Sequence, residues 1–182
     1  MRGPGAGRQR HRRAPLGSHS LVATTLQRAR INCAIGDQRA TVRDLAAGER
    51  ALAQTPFSLG NDDHYVIDPA KAAFFASGAL AALHLPAETI EHAAEVVRSS
   101  LDPGSRGNWP MRVANARLEW AMALADQGEE DEAYAMALQA LDQQWFRPDT
   151  ERRTRMLLRR LRDPRLRQQL ASELEERLGN AS

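Results

Sequence analysis

Small and apolar residues recur along this chain in one pattern, three times. Set Ala121 to Gly128 over Ser77 to His84, and Leu124 falls on Leu80 and Ala125 on Ala81. The match continues through the next turn, pairing Ala133 with Thr89, Tyr134 with Ile90, Ala137 with Ala93, Ala140 with Val96 and Leu141 with Val97. A third register anchored on Gly36 puts Ala29, Thr41, Val42, Leu45 and Gly48 at the same places. Repetition on this scale predicts stacked helical hairpins, an architecture that makes binding surfaces more often than active sites.

Turn and cap signals divide the chain accordingly. A first hairpin is expected over about Ser20 to Ile35 and Gln38 to Ala53, with Gly36 placed to take the left-handed conformation that ends a helix. Pro56 to Asp68 reads as a loop whose end, Asp68-Pro69, supplies an N-cap and a first-turn proline. The second hairpin then covers Pro69 to about His84 and Pro86 to about Ser100, before a turn at Asp102-Pro103-Gly104-Ser105. Asn108 and Pro110 open the third, running to Gln127 and from about Glu130 to Gln144. Beyond Pro148, Asp149 or Thr150 can cap a helix reaching Leu161, and Asp163-Pro164 starts a last one ending near Leu178, ahead of Gly179. Its Leu166, Leu170, Leu174 and Leu178 form one apolar stripe, as in a helix that caps the open end of a stack.

Composition agrees with an all-α chain. Hydrophobic residues make up 42 % of the 182 but aromatics only 5 %, so the apolar content is chiefly the strong helix formers Ala and Leu. Cys33 is the one cysteine, which excludes an internal disulfide or a cysteine-built zinc site within one chain. No apolar run approaches the roughly 20 residues of a membrane helix, and no signal-peptide core follows the basic N-terminus, so a cytoplasmic location is expected. Residues 1–18 hold five arginines, several glycines and no acid, and read as a disordered basic tail preceding a helical domain of residues 19–182. The remainder keeps 20 of the 25 basic residues against all 23 acids, a slightly acidic body.

The hairpins resemble tetratricopeptide repeats, with a small residue midway along the first helix, glycine at the inter-helix turn and small or apolar residues at fixed places in the second. Ala121, Leu124, Gly128, Ala133 and Ala140 carry the resemblance best. The anchors Gly36, His84 and Gly128 lie 48 and 44 residues apart, against the family's repeat of about 34, so loops are inserted. His84 stands where glycine is expected, and Gly48 sits inside a second helix. With Ile67-Asp68-Pro69-Ala70-Lys71 and Leu85-Pro86-Ala87-Glu88, the whole also resembles the C-terminal helical-repeat region of bacterial helix-turn-helix (XRE-type) transcriptional regulators. The resemblance implies a right-handed stack of hairpins, an α-solenoid, acting as a protein or peptide interaction module. It would be the effector or sensor part of a regulator, working with a helix-turn-helix domain or chain. By the family's register Lys71, Phe74, Phe75, Asn115, Glu119 and Met122 would border a concave binding groove.

Other chemistry has little support. Asn61-Asp62-Asp63-His64 gathers possible ligands but lacks calcium-loop or zinc-helix spacing and reads as a polar turn. His84 and His92 are not i and i+4 on one face, no nucleotide-binding glycine loop occurs, and Cys33 reads as an inert thiol, so neither catalysis nor a cofactor or metal is expected. The arginines of residues 151–169 could touch phosphates, but Met156, Leu157, Leu158 and Leu161 make that helix amphipathic and leave the arginines a solvated face. Two alternatives to the interaction module stay open: a nucleic-acid binder using its Arg-rich segments, with only weak and nonspecific binding expected, and a small-molecule-sensing helical domain.

Overall fold

A computed structural model describes residues 18–55, 67–101, 109–142 and 147–180. Among these residues there are eight helices and no strand: α1 (His19–Ala34), α2 (Gln38–Ala53), α3 (Pro69–Ala82), α4 (Pro86–Leu101), α5 (Pro110–Gln127), α6 (Glu130–Leu141), α7 (Pro148–Leu158) and α8 (Pro164–Asn180). The Asn61 to His64 cluster and the Asp102 to Ser105 turn lie outside the described residues.

Capping explains where most helices begin. Ser18 accepts the amide of Leu21 at 3.2 Å and Asp37 that of Ala40 at 2.9 Å, while Asp68 accepts that of Lys71. Ser18, assigned to the tail from sequence, therefore belongs to the fold as the cap of α1. Three further boundaries differ. Helix α7 starts at Pro148 with Arg147 in the cap position, so Asp149 and Thr150 lie in its first turn, and it ends at Leu158, short of Leu161. Helix α8 runs through Gly179 to Asn180, so that glycine does not terminate it.

The three predicted hairpin turns share one backbone geometry. Gly36, His84 and Gly128 all adopt positive φ, at 78°, 55° and 89°. In each, the amide one residue on reaches back five residues: Asp37 to Asn32 at 2.9 Å, Leu85 to Leu80 at 3.1 Å, and Glu129 to Leu124 at 3.0 Å. These are Schellman closures, and they satisfy carbonyls that the helix end would leave orphaned. His84 thus takes the glycine role without being glycine.

Packing follows the same register. Ala29, Ser77 and Ala121 are each fully buried, as are Thr41, Thr89 and Ala133, and small residues there let neighbouring helices close in. Gly48 occupies the place of Val96 and Ala140, and a Cβ on it would meet Leu26 Cδ2 at 2.8 Å, so its lack of a side chain sets how closely α1 and α2 approach.

The pairs α1–α2, α3–α4 and α5–α6 pack along their lengths; α1, α3, α5 and α7 also touch in succession, and α8 rests on α6 and α7. The largest core joins α5 through α8 around Leu118, Met122, Leu141, Leu157, Leu161 and Leu170. Each such buried side chain contributes roughly 1.5–3 kcal/mol relative to exposure. The junctions between successive hairpins differ in closeness. Helix α4 packs closely against α5, whereas α2 makes only slight contact with α3.

Candidate functional site

The six residues assigned to a groove divide into two groups. Lys71, Phe74 and Phe75 of α3 are half-buried. The two rings lie 6.1 Å apart, tilted by 52°, but join different clusters. Phe75 packs on the α1–α3 core and carries the Arg30 guanidinium 5.5 Å above its ring, while Phe74 packs on the cluster that holds Ala93, Val96 and Ala116. Asn115, Glu119 and Met122 of α5 are instead buried, only 5 %, 1 % and 2 % exposed. The position of α7 across α5 accounts for this, because the register assigned them from hairpin three alone.

Around Glu119 lies a polar network that sequence reasoning missed. One carboxylate oxygen accepts Arg153 Nε of α7 at 3.1 Å and the other accepts the Ser77 hydroxyl of α3. Arg153 also donates to Asp149, whose carboxylate further accepts Asn115 Nδ2 at 3.0 Å and Arg152 Nη2 at 2.9 Å. Gly78 leaves the space for this carboxylate, since a Cβ there would come within 2.9 Å of Glu119 Oε1. Burial pushes the Glu119 carboxyl above its ordinary pKa, offset in part by Arg153 and Ser77. For Asp149, burial acts upward, but the hydrogen bond from Arg152 and the charges of Arg153, Arg152 and Arg30 outweigh it and hold its carboxyl below the usual range. The network fastens α3, α5 and α7 together.

Most arginines of the Arg-rich segment are likewise engaged within the fold. Arg155 bonds Glu151 at 2.9 Å and approaches Glu175 at 3.5 Å. Arg160, largely buried, donates to Asp126 at 2.7 Å and to the Ala81 carbonyl at 2.8 Å, and Asp126 also meets His84 Nδ1 at 3.0 Å. Arg165 approaches Asp131 at 3.6 Å, and Arg167 Nε donates to the Leu161 carbonyl at 3.0 Å.

The slight α2–α3 contact leaves a cavity of about 350 Å³ between α2, α3 and α4. Its floor is apolar, made by Leu26, Leu45, Leu52, Ala72, Ala73 and Ala76, and its rim carries Glu49, Glu91, His92, Glu95 and Arg98. His92 Nε2 of α4 stands 3.6 Å from Glu49 Oε1 of α2, across the opening. Arg98 is tied to Glu95, which also accepts Ser99 Oγ at 2.7 Å.

The chain matches no protein-family model, no curated protein and no solved structure. Cys33 is half-buried, donates to the Ala79 carbonyl at 3.4 Å, and has its thiol pKa raised by burial, which makes it a poor nucleophile. Among the described residues no cluster of three His, Cys, Asp or Glu side chains is disposed to hold a metal, and no helix is long and apolar enough to cross a membrane.

Proposed function

We propose that the chain is a non-catalytic interaction module of the tetratricopeptide-like kind, an α-solenoid closed at one end by α8, and that it serves as the effector part of a transcriptional regulator. The observation that carries this reading is the succession α1, α3, α5, α7, each first helix touching the next. Such a row gives one continuous surface, on which Arg30, Lys71, Phe74, Phe75 and Arg152 contribute mixed cationic and aromatic character suited to a protein or peptide. The shared register of buried small residues and the three matching turns support the stack.

The engagement of the α7 and α8 arginines with acids and carbonyls weighs against the nucleic-acid reading. Arg153 and Arg160 in particular are buried in these contacts, which removes them from a phosphate-binding face. The test is fluorescence anisotropy with mixed-sequence duplex DNA, together with capture of partners on the immobilised chain. The expected result is weak duplex binding, erased at physiological salt and unchanged by Arg152→Ala with Arg159→Ala, and a captured protein lost on Arg30→Glu with Lys71→Glu. Duplex binding that persists at physiological salt and falls with the arginine changes would overturn the reading.

A further inference from the structure

Along α3, helical periodicity separates two faces: Lys71, Phe75 and Gly78 lie on one, while Pro69, Ala72, Ala73 and Ala76 lie on the other, beneath the cavity between α2 and α4. The cavity is therefore a different surface from the row of first helices. Its origin is a packing mismatch. Where α4 lies against α5 the equivalent space is closed by direct contact, but α2 stands away from α3, and α3 presents three alanines there. The volume of about 350 Å³ falls at the lower end of the range for ligand sites, which suits one or two apolar side chains rather than a whole helix.

The rim decides which apolar side chains. Glu49, Glu91 and Glu95 supply three carboxylates, against the Arg98 guanidinium, bonded to Glu95, and the His92 imidazole, 3.6 Å from Glu49. Glu49 stays more than half exposed beside His92, and Glu91 is exposed. An acidic rim above an apolar floor complements a segment with a bulky apolar residue flanked by arginine or lysine, and repels an acidic one.

We propose that the α2–α4 groove is a docking site for a basic, apolar-anchored peptide segment of a partner protein, separate from the first-helix face. The anchor side chain enters over Ala72 and Ala76, and its flanking cations meet Glu49 and Glu91.

The test is a titration of the full chain against a fluorescein-labelled peptide of leucine and arginine in helical alternation, with a glutamate-for-arginine counterpart as control. Saturable binding of the basic peptide and none of the acidic one is expected. Glu49→Lys with Glu91→Lys, at exposed positions that leave the core untouched, should weaken binding by about tenfold or more. Ala72→Leu, which fills the floor, should block it; if that variant melts early, the charge reversal alone decides. Equal binding of the acidic peptide, or binding indifferent to the reversal, would overturn the proposal. So would self-association of the chain that the reversal abolishes, because the occupant would then be a second copy.

Discussion

Replacing Arg153 by methionine tests the buried network at its centre. The substitution keeps much of the apolar stem but removes the cation from Glu119, which is 1 % exposed and retains only Ser77 as a partner. Breaking a buried ion pair from one side costs about 3–5 kcal/mol, because the remaining charge is left uncompensated. Glu119 can escape that cost by holding a proton. In the native protein its carboxyl pKa already lies above the ordinary value through burial, with Arg153 opposing the shift, and losing Arg153 raises it further. The sign follows directly: a folded state that binds the proton more tightly than the unfolded chain loses stability as pH rises through the interval between the two values. Each pH unit over which the variant's Glu119 holds a proton that the parent's has released is worth about 1.4 kcal/mol, and acidification returns that stability to the variant. Because the parent's carboxyl is itself raised, the deficit shrinks only by the further rise that losing Arg153 causes, and it should be smaller at pH 5 than at pH 7. Asp149, held below the usual carboxylate range in the parent, also loses Arg153 in the variant but keeps its bond from Arg152. Urea unfolding followed by tryptophan fluorescence suits the measurement, since Trp120 adjoins Glu119. A deficit equal at both pH values, or larger at pH 5, would refute the reasoning, and adding Glu119→Gln should remove the pH dependence.

Other outcomes are expected at the turns, the core and the first hairpin. Because His84 has positive φ, His84→Gly should be more stable than His84→Ala by about 1 kcal/mol in thermal melts, and since both lose the Asp126 contact the difference isolates the backbone. Ala140→Leu, at a fully buried position, should overpack and cost about 1–3 kcal/mol, and an unchanged melting temperature would show that the register is wrong. Asp44 has its carboxyl pKa lowered by the hydrogen bond from Arg28, against the opposing effect of burial, so it adds stability that is present above the unfolded value and lost as pH falls through the folded one. Asp44→Asn should therefore cost about 1–3 kcal/mol at neutral pH and much less in acid, measured by urea unfolding at both.

The sequence made the helices and the repeat register legible because both are local. Gly36 and Gly128 announce turns by composition, and His84 was placed with them only through alignment of the small residues around it; its backbone matches theirs. The alanines at 29 and 121 and Ser77 are legible for the same reason, as close helix approach admits only small side chains. Glu119 was not legible as a core residue. A carboxylate at helical spacing among alanines reads as groove lining, and its burial depends on Arg153, which reaches it only once α7 has folded across α5. The cavity was equally hidden, for the alanines of α3 that line it read as ordinary helix packing until the stance of α2 relative to α3 is known.

That stance also grades the energetic coupling along the molecule. In a row of helical units, stability is close to the sum of each unit's own stability and its interfaces with its neighbours. The second and third hairpins share two interfaces, α3 with α5 and α4 with α5, whereas the first is held mainly by α1 on α3. Amides of α1 and α2 should consequently exchange through an opening of lower free energy than those of α5, before global unfolding. A segment seated between α2 and α4 would supply the interface the chain lacks, and its binding would register as slower exchange in the first hairpin rather than as a change of shape.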